Sequence, residues 1–486
     1  MTLADLTPLT PLIILAIFAI VNLLVIAFFR NHQTIFGLTL IGFAAAFVAL
    51  LLVVGSLPRQ VTTLFLVDHY AFFYMGLLFA AGFVVTLLTY SYLRQRAEEQ
   101  EEFYLLLLTA TVGSAGLVIS RHFVAFFLSL ETLTVSLYVL IAYLYTNPYS
   151  TEAGLKYLIL ASVSTAFLLF GMALVYARLG TMQLPQLAAL LTNADNARNL
   201  FLLTGLGLMI IGIGYKLAVV PFHTWTPDIY QGASAPATAF VTTVSKGGML
   251  ALLLRYFAPM NPQAYPTLFW IFALIAAASM LVGNLLALRQ NNVKRLLAYS
   301  SISHFGYMLV AFLASGSMAI TATTYYLIAY FATILAAFGI VTVLSQPDHE
   351  ADSIEDYRGL FWQRPWLASV FTVALLSLAG IPLTAGFVGK FYVMLAGAGS
   401  ALWWLLILLA IGSTIGLYYY LRVVVMMALP VAAEGDIVAV PNPLPWAGGL
   451  ALIMLTVAVV WLGVYPTPLL RMIQATVTML FQPPRL

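Results

Sequence analysis

The sequence predicts an all-α integral membrane protein of about fourteen transmembrane helices. Of its 486 residues, 63% are hydrophobic and only 8% charged, whereas soluble globular chains carry about 25% charged residues. The mean hydropathy is +1.01. Apolar runs long enough to cross a bilayer, about 20 residues each, recur along the chain with short connections between them.

In chain order, the first seven runs lie near 9–29, 35–56, 70–92, 103–119, 122–145, 155–177 and 200–222. Seven more follow near 236–257, 266–288, 296–314, 320–345, 367–394, 402–428 and 446–465. The first run follows neither a basic segment nor a cleavage site, so we expect a retained helix and no removed signal or mitochondrial leader. Breakers separate the later runs: Asn147-Pro148, Asn261-Pro262, Gln346-Pro347 and the loop from Pro430 to Pro445. After Tyr465, the amphipathic stretch LLRMIQATVTML is expected to lie along the membrane interface.

An even helix count places both termini on one side. Lys and Arg are in excess on the side of Arg30, Arg94, Arg96, Lys294 and Arg295 over that of Arg59, Arg178, Arg198 and the C-terminus. The positive-inside rule then puts both termini outside. Two acidic clusters share the basic side: Glu98, Glu99, Glu101 and Glu102, and the five acidic residues between Pro347 and Asp356. Both read as solvated connections, the second also as a partner-facing loop.

With no cysteine, the chain forms no disulfide and holds no iron–sulfur cluster or thiol-ligated metal. A net charge of +3, dispersed along the chain, gives no nucleic-acid footprint.

The informative charges are those inside apolar runs. Of the five lysines, Lys216, Lys246 and Lys390 lie within spans, and Glu131 is the single acidic residue deep in one. A charge at membrane depth costs at least about 2.5 kcal/mol and ordinarily faces a cavity or a partner. Lysine can lose its proton when desolvated, and arginine effectively cannot. The stretch 202–230 puts Lys216, Pro221, His223, Trp225, Pro227 and Asp228 together, so a span breaks beside a buried cation. VPFHTWTPDIY at 220–230 is echoed by IPLTAGFVGKFY at 381–392, although Lys216 precedes its proline and Lys390 follows its own. Paired broken spans point to a transport site.

Glu131 and Lys216 are candidates either for a packed ion pair or for coupled titration. His223, after the break, and His304, near the start of its helix, can relay protons or be hydrogen-bonded structural residues. Lys156 opens a helix and either snorkels to the interface or joins the relay. Lys294 and Arg295 form a basic turn that fits topology. Ser377 and the other small hydroxyl residues within spans either hydrate a channel or pack helices together.

With these residues in view, the chain resembles the antiporter-like membrane subunits of proton-pumping NADH–quinone oxidoreductase, respiratory complex I. The resemblance covers essentially the whole chain. It rests on YKLAVVPFHTWTPDIYQGASAP at 215–236, NVKRLLAYSSISHFGYMLV at 292–310, SLAGIPLTAGFVGKFYV at 377–393 and GLYYYLRVVV at 416–425. The last two favour the subunit N branch.

The resemblance implies three N-terminal helices (1–102), two inverted five-helix repeats (103–257 and 258–430), each with a proline-broken helix, and a final helix with an interfacial tail (431–486). It implies a proton relay through Glu131, Lys216, Lys246 and Lys390, with His223 and His304 as water-linked connectors. It implies a non-redox subunit in the bacterial inner membrane, beside other membrane subunits that include antiporter-like paralogues. No cofactor is expected in this chain; NADH, FMN, iron–sulfur clusters and quinone belong to partner subunits. The alternatives are a cation/proton antiporter subunit, a ferredoxin-linked sister complex, or a structural scaffold. Buried titratable lysines argue against the last, and no second constellation of residues suggests an organic substrate.

Overall fold

The computed structural model describes residues 6–96, 100–191, 199–257, 266–314, 316–347, 349–430 and 446–481. Glu98, Glu99, Arg198, Asn261-Pro262, Asp348 and the 431–445 part of the loop before Trp446 lie outside the described residues. The described chain begins with α1 (Thr10–Phe28) and α2 (His32–Val53), a hairpin of β1 (Arg59–Val61) and β2 (Phe65–Val67), and α3 (His69–Arg94). Next come α4 (Glu102–Ile119), α5 (Phe123–Ile141), α6 (Pro148–Leu179), α7 (Leu200–Leu217), α8 (Trp225–Gly232) and α9 (Ala235–Phe257). The second half contains α10 (Pro266–Leu288), α11 (Val293–Leu313), α12 (Ser317–Leu344), α13 (Pro365–Ala379), α14 (Ala385–Gly399) and α15 (Trp403–Ala428). It ends with α16 (Trp446–Val464) and α17 (Thr467–Phe481).

Among the described residues, thirteen helices are long and apolar enough to cross a membrane. The shorter apolar pair α13 and α14 completes the expected fourteen as one span in two pieces. Local chemistry sets the helix starts. Asn31, Asp68, Asn147, Asn199, Ser234 and Asn292 each accept a backbone N–H of the first turn, as N-cap side chains do. Pro148 at the first helical position starts α6 earlier than its apolar run suggests. Lys156 therefore lies about two turns inside α6 and does not open it.

α9, α11 and α12 are almost wholly enclosed, whereas α1, α2, α6, α15 and α16 turn apolar faces such as Ile20, Leu52, Phe170 and Ile407 outward. This arrangement suits lipid, where apolar side chains need no shelter and backbone groups must be satisfied internally. α17 is docked on the bundle, not merely laid beside it: Leu470, Ile473 and Val477 are buried, and the helix packs on α3 and α12.

Both expected breaks are present. α7 stops at Leu217 with Ala218 left-handed (φ 59°), and the chain turns through Pro221 before α8 restarts at Trp225. The freed N–H of Val220 is taken by Ser279 Oγ on α10 at 2.9 Å. The run 367–394 is likewise two helices, parted at Gly380 (φ 86°) and Leu383 (φ 71°). Ser377 Oγ bridges that break, accepting Gly386 N–H at 3.0 Å and pairing with Thr333 Oγ1 of α12 at 2.9 Å.

The loop after α12 departs from the solvated connection expected of it. Its Glu350 side chain, 19% exposed, accepts from Lys294 Nζ at 2.7 Å and from the Tyr92 hydroxyl, with Arg96 at 3.9 Å. Lys294, 1% exposed, also donates to Ala233 O between α8 and α9. The turn at Lys294 and Arg295 is thus more than topology: it clamps α3, α11, the first broken span and this loop together. Burial raises the Glu350 carboxyl, but the Lys294 ammonium, the Tyr92 hydroxyl and Arg96 outweigh it and hold the group below its ordinary 4.5. The resulting stability is complete above pH 4.5 and fades as pH falls through the lower folded value. Glu350→Gln should therefore lower the thermal unfolding temperature of the purified complex at pH 7 and flatten its loss toward pH 4. An unchanged acid limb would refute this account.

Candidate functional site: a chain of buried lysines

Lys216 stands in the last turn of α7, 3% exposed, where the negative end of the helix favours a cation. Its Nζ donates to Thr134 Oγ1 of α5 and Tyr157 Oη of α6, each at 2.9 Å. The expected ion pair with Glu131 is not made. Glu131 lies on the outer side of α5, half-buried, and accepts from Thr165 Oγ1 at 3.1 Å. Thr165, Thr134 and Lys216 line one small cavity together with Ser164, Gly212 and Tyr215. The ammonium thus borders this cavity directly, and the carboxylate reaches it through the hydroxyl of Thr165.

Lys246 follows a π-helical turn, Val241–Ser245, in α9. Such turns offset a helix and recur at functional sites. The side chain is 0% exposed. Its Nζ donates to Ser301 Oγ of α11 at 2.8 Å and otherwise faces the rings of Phe305 at 4.8 Å and Tyr230 at 5.5 Å. Lys390, 5% exposed, reaches back from α14 to the open end of α13. Its Nζ donates to the carbonyls of Leu378 (2.9 Å) and Ala379 (2.8 Å) and to Ser413 Oγ of α15 (2.8 Å). Lys216 and Lys390 stand at different offsets from their prolines, yet both sit at the C-terminal end of the first half-helix of a broken span.

Aromatic and hydroxyl groups join the three. Tyr157 packs on Trp225 at 5.3 Å and Trp225 on Tyr230 at 6.5 Å, which leads from Lys216 to Lys246. Ser301 Oγ accepts from Tyr330 Oη at 2.7 Å, and the Tyr330 ring lies 5.5 Å from that of His304. His304 is a mid-helix residue of α11, not one at a helix start. Its Nδ1 meets Tyr326 Oη at 2.7 Å and its Nε2 meets Tyr420 Oη at 3.2 Å. Tyr307, 5.6 Å from His304 ring to ring, stands 5.3 Å from Lys390 Nζ.

His223 lies in the turn between α7 and α8, half-buried. His223 Nδ1, Tyr215 Oη, Thr226 Oγ1 and Tyr230 Oη are buried without a hydrogen-bond partner among the described residues. Polar atoms so placed ordinarily bind water. Lys156 belongs elsewhere: it pairs with Glu152 at 2.7 Å and Asp228 at 3.0 Å, and Asp228 also binds Arg295 at 2.7 Å.

The chain matches the family described as "NADH:quinone oxidoreductase/Mrp antiporter, TM" over residues 120–416. NADH-quinone oxidoreductase subunit N of Nitrosospira multiformis is 48% identical over 467 residues, covering 93% of this chain and 92% of that protein. Subunit N of Ectopseudomonas mendocina is 46% identical over 465 residues, covering 94% of this chain and 93% of that protein. The chain belongs to the NADH-quinone oxidoreductase subunit N family.

A solved structure of respiratory complex I from Thermus thermophilus with bound aureothin contains a chain that is 34% identical and superposes with a TM-score of 0.80. The match covers 95% of this chain and 98% of that one. As a subunit N protein, this chain is a proton-translocating, multi-pass inner-membrane part of an enzyme complex. Within that family setting, sequence reasoning missed the groups that hold these residues: Thr134 and Tyr157 at Lys216, Ser301 at Lys246 with Tyr330 behind it, Tyr420 at His304, and Ser413 at Lys390. The tyrosine-rich runs at 325–330 and 418–420 carry a faint signal, being polar groups in apolar spans. Ser413 carries none.

Proposed function

We propose that Glu131, Lys216, Lys246 and Lys390 form the proton relay of this subunit, with His304 and the water-binding groups around His223 as connectors. The observation that carries this reading is the unequal solvation of the three ammonium groups. Lys390 has three oxygen acceptors, Lys216 two, and Lys246 one hydroxyl and two rings. Each bond to a charged donor is worth about 1.5–3 kcal/mol. Lys246 is therefore the hardest of the three to charge, and a proton placed there is drawn toward Lys390. Lys216 becomes easier to charge whenever Glu131 turns past Thr165 into the cavity that Lys216 lines, and a charged Lys216 in turn opposes a charge on Lys246. Lys156, held in surface ion pairs, keeps α6 against α8 and stands outside the relay.

The two broken spans fit two related five-helix units, 103–257 and 258–430. NADH, FMN, iron–sulfur clusters and quinone fall to partner subunits, and antiporter-like paralogues adjoin this one in the membrane. The test is proton uptake per quinone reduced, in vesicles bearing the assembled complex with Lys216→Ala, Lys390→Ala or Glu131→Gln. Each should lower the rate of pumping at least about 100-fold, the low end for a lost acid–base group. Wild-type pumping by both lysine variants would sink the relay.

A further inference from the structure

Lys390 poses a problem that the relay alone does not solve. An ammonium has three N–H donors, and here all three are engaged, by Leu378 O, Ala379 O and Ser413 Oγ. Backbone carbonyls hold a cation well but do not take its proton onward. Of the three acceptors, only the hydroxyl of Ser413 can accept a proton while releasing another. Ser413 is on α15, half-buried, and its hydroxyl donates to Ala379 O at 3.1 Å. The other titratable groups near Lys390 are His304 and Tyr307 on α11 and Tyr326 on α12, whose ring and backbone pack on Gly389; α15 also carries Tyr419, which donates to Asn284, and Tyr420, which meets His304. The described part of α16, which packs on α14, contributes none.

We propose that Ser413 is the group through which Lys390 gives up its proton. This rests on the reading of Lys390 as a carrier. The hydroxyl first turns from Ala379 O to a water molecule. The Nζ–H bond then breaks with its electron pair left on nitrogen, and a new O–H bond forms on Ser413. The former hydroxyl proton passes to the water, giving hydronium. Ser413 ends as a neutral hydroxyl donating to the lone pair of a neutral amine, which keeps its two bonds to the α13 carbonyls. Recharging reverses the hydroxyl. The serine thus alternates between accepting from Lys390 and donating to it, and the fixed carbonyls hold the amine in place throughout.

The test uses the assembled complex in vesicles, with Ser413→Ala, Ser413→Thr and Lys390→Ala compared with wild type and assembly quantified on the same membranes. Ser413→Ala should lower pumping at least about 100-fold, with an increased solvent deuterium isotope effect. The alkaline limb of its residual pumping should move to lower pH, because an ammonium lacking one of three acceptors is easier to discharge. Ser413→Thr, which keeps the hydroxyl, should restore rate and profile toward wild type. If alanine prevents assembly, Ser413→Cys, similar in size and weaker in hydrogen bonding, should show the same slowing. Wild-type rate and pH profile in Ser413→Ala, while Lys390→Ala abolishes pumping, would overturn this role for Ser413 alone. Failure of threonine to restore pumping would also overturn it, making the position steric. Normal pumping by Lys390→Ala would remove the carrier reading first.

Discussion

Lys246→Ala should abolish proton pumping by the complex while leaving its assembly intact. The site is fully enclosed and gives the ammonium one hydroxyl partner, Ser301 Oγ at 2.8 Å. Removing a poorly solvated buried cation relieves a desolvation cost, and Ser301 keeps Tyr330 as a partner at 2.7 Å, so no hydroxyl is orphaned. Folding should survive, and the loss should fall on transport. Lys246→Arg should fare no better, since a guanidinium holds its proton permanently and must fit among Tyr230, Ser301 and Phe305. We expect pumping to fall by a factor of at least about 100 in both variants, the low end for a lost acid–base group. Pumping at the wild-type rate by an assembled Lys246→Ala complex would mean that protons bypass this lysine.

Gly386→Ala should act on the fold before it acts on transport. A methyl group there would stand 1.8 Å from the carbonyl oxygen of Ser377, backbone that cannot swing aside. The close approach exists because α14 restarts against the last turn of α13, where Ser377 Oγ accepts the Gly386 N–H. Parting the two would also move Lys390, one turn on, away from the carbonyls of Leu378 and Ala379. We expect a destabilisation above about 3 kcal/mol, beyond ordinary overpacking, seen as a sharp fall in assembled complex in the membrane. Gly399→Ala, at the far end of α14 with nothing within 4 Å of the added carbon, is the control and should be neutral or slightly stabilising. Normal assembly of Gly386→Ala would show that the break tolerates separation.

The sequence by itself determined the fold class, the number of spans and the two interruptions. Each follows from the local cost of polar or helix-breaking residues in an apolar run. It also marked Lys216, Lys246 and Lys390, because a charge in such a run is conspicuous wherever its partner lies. What it could not hold is which groups meet. Ser301 is 55 positions from the lysine it solvates and Ser413 is 23 positions from its own. Their hydroxyls look like ordinary helix-packing residues until the helices are brought together. Glu131 and Lys216 looked like an ion pair because opposite charges in lipid attract, but hydroxyls of Thr134, Tyr157 and Thr165 satisfy each separately. The mismatched offsets of Lys216 and Lys390 were reconciled only in three dimensions, where both sit at the negative end of a half-helix. The Glu350 loop read as solvated because acidity is local information. Its burial against Lys294 and Arg96 depends on residues 56 and about 250 positions away, and only the tertiary structure decides that.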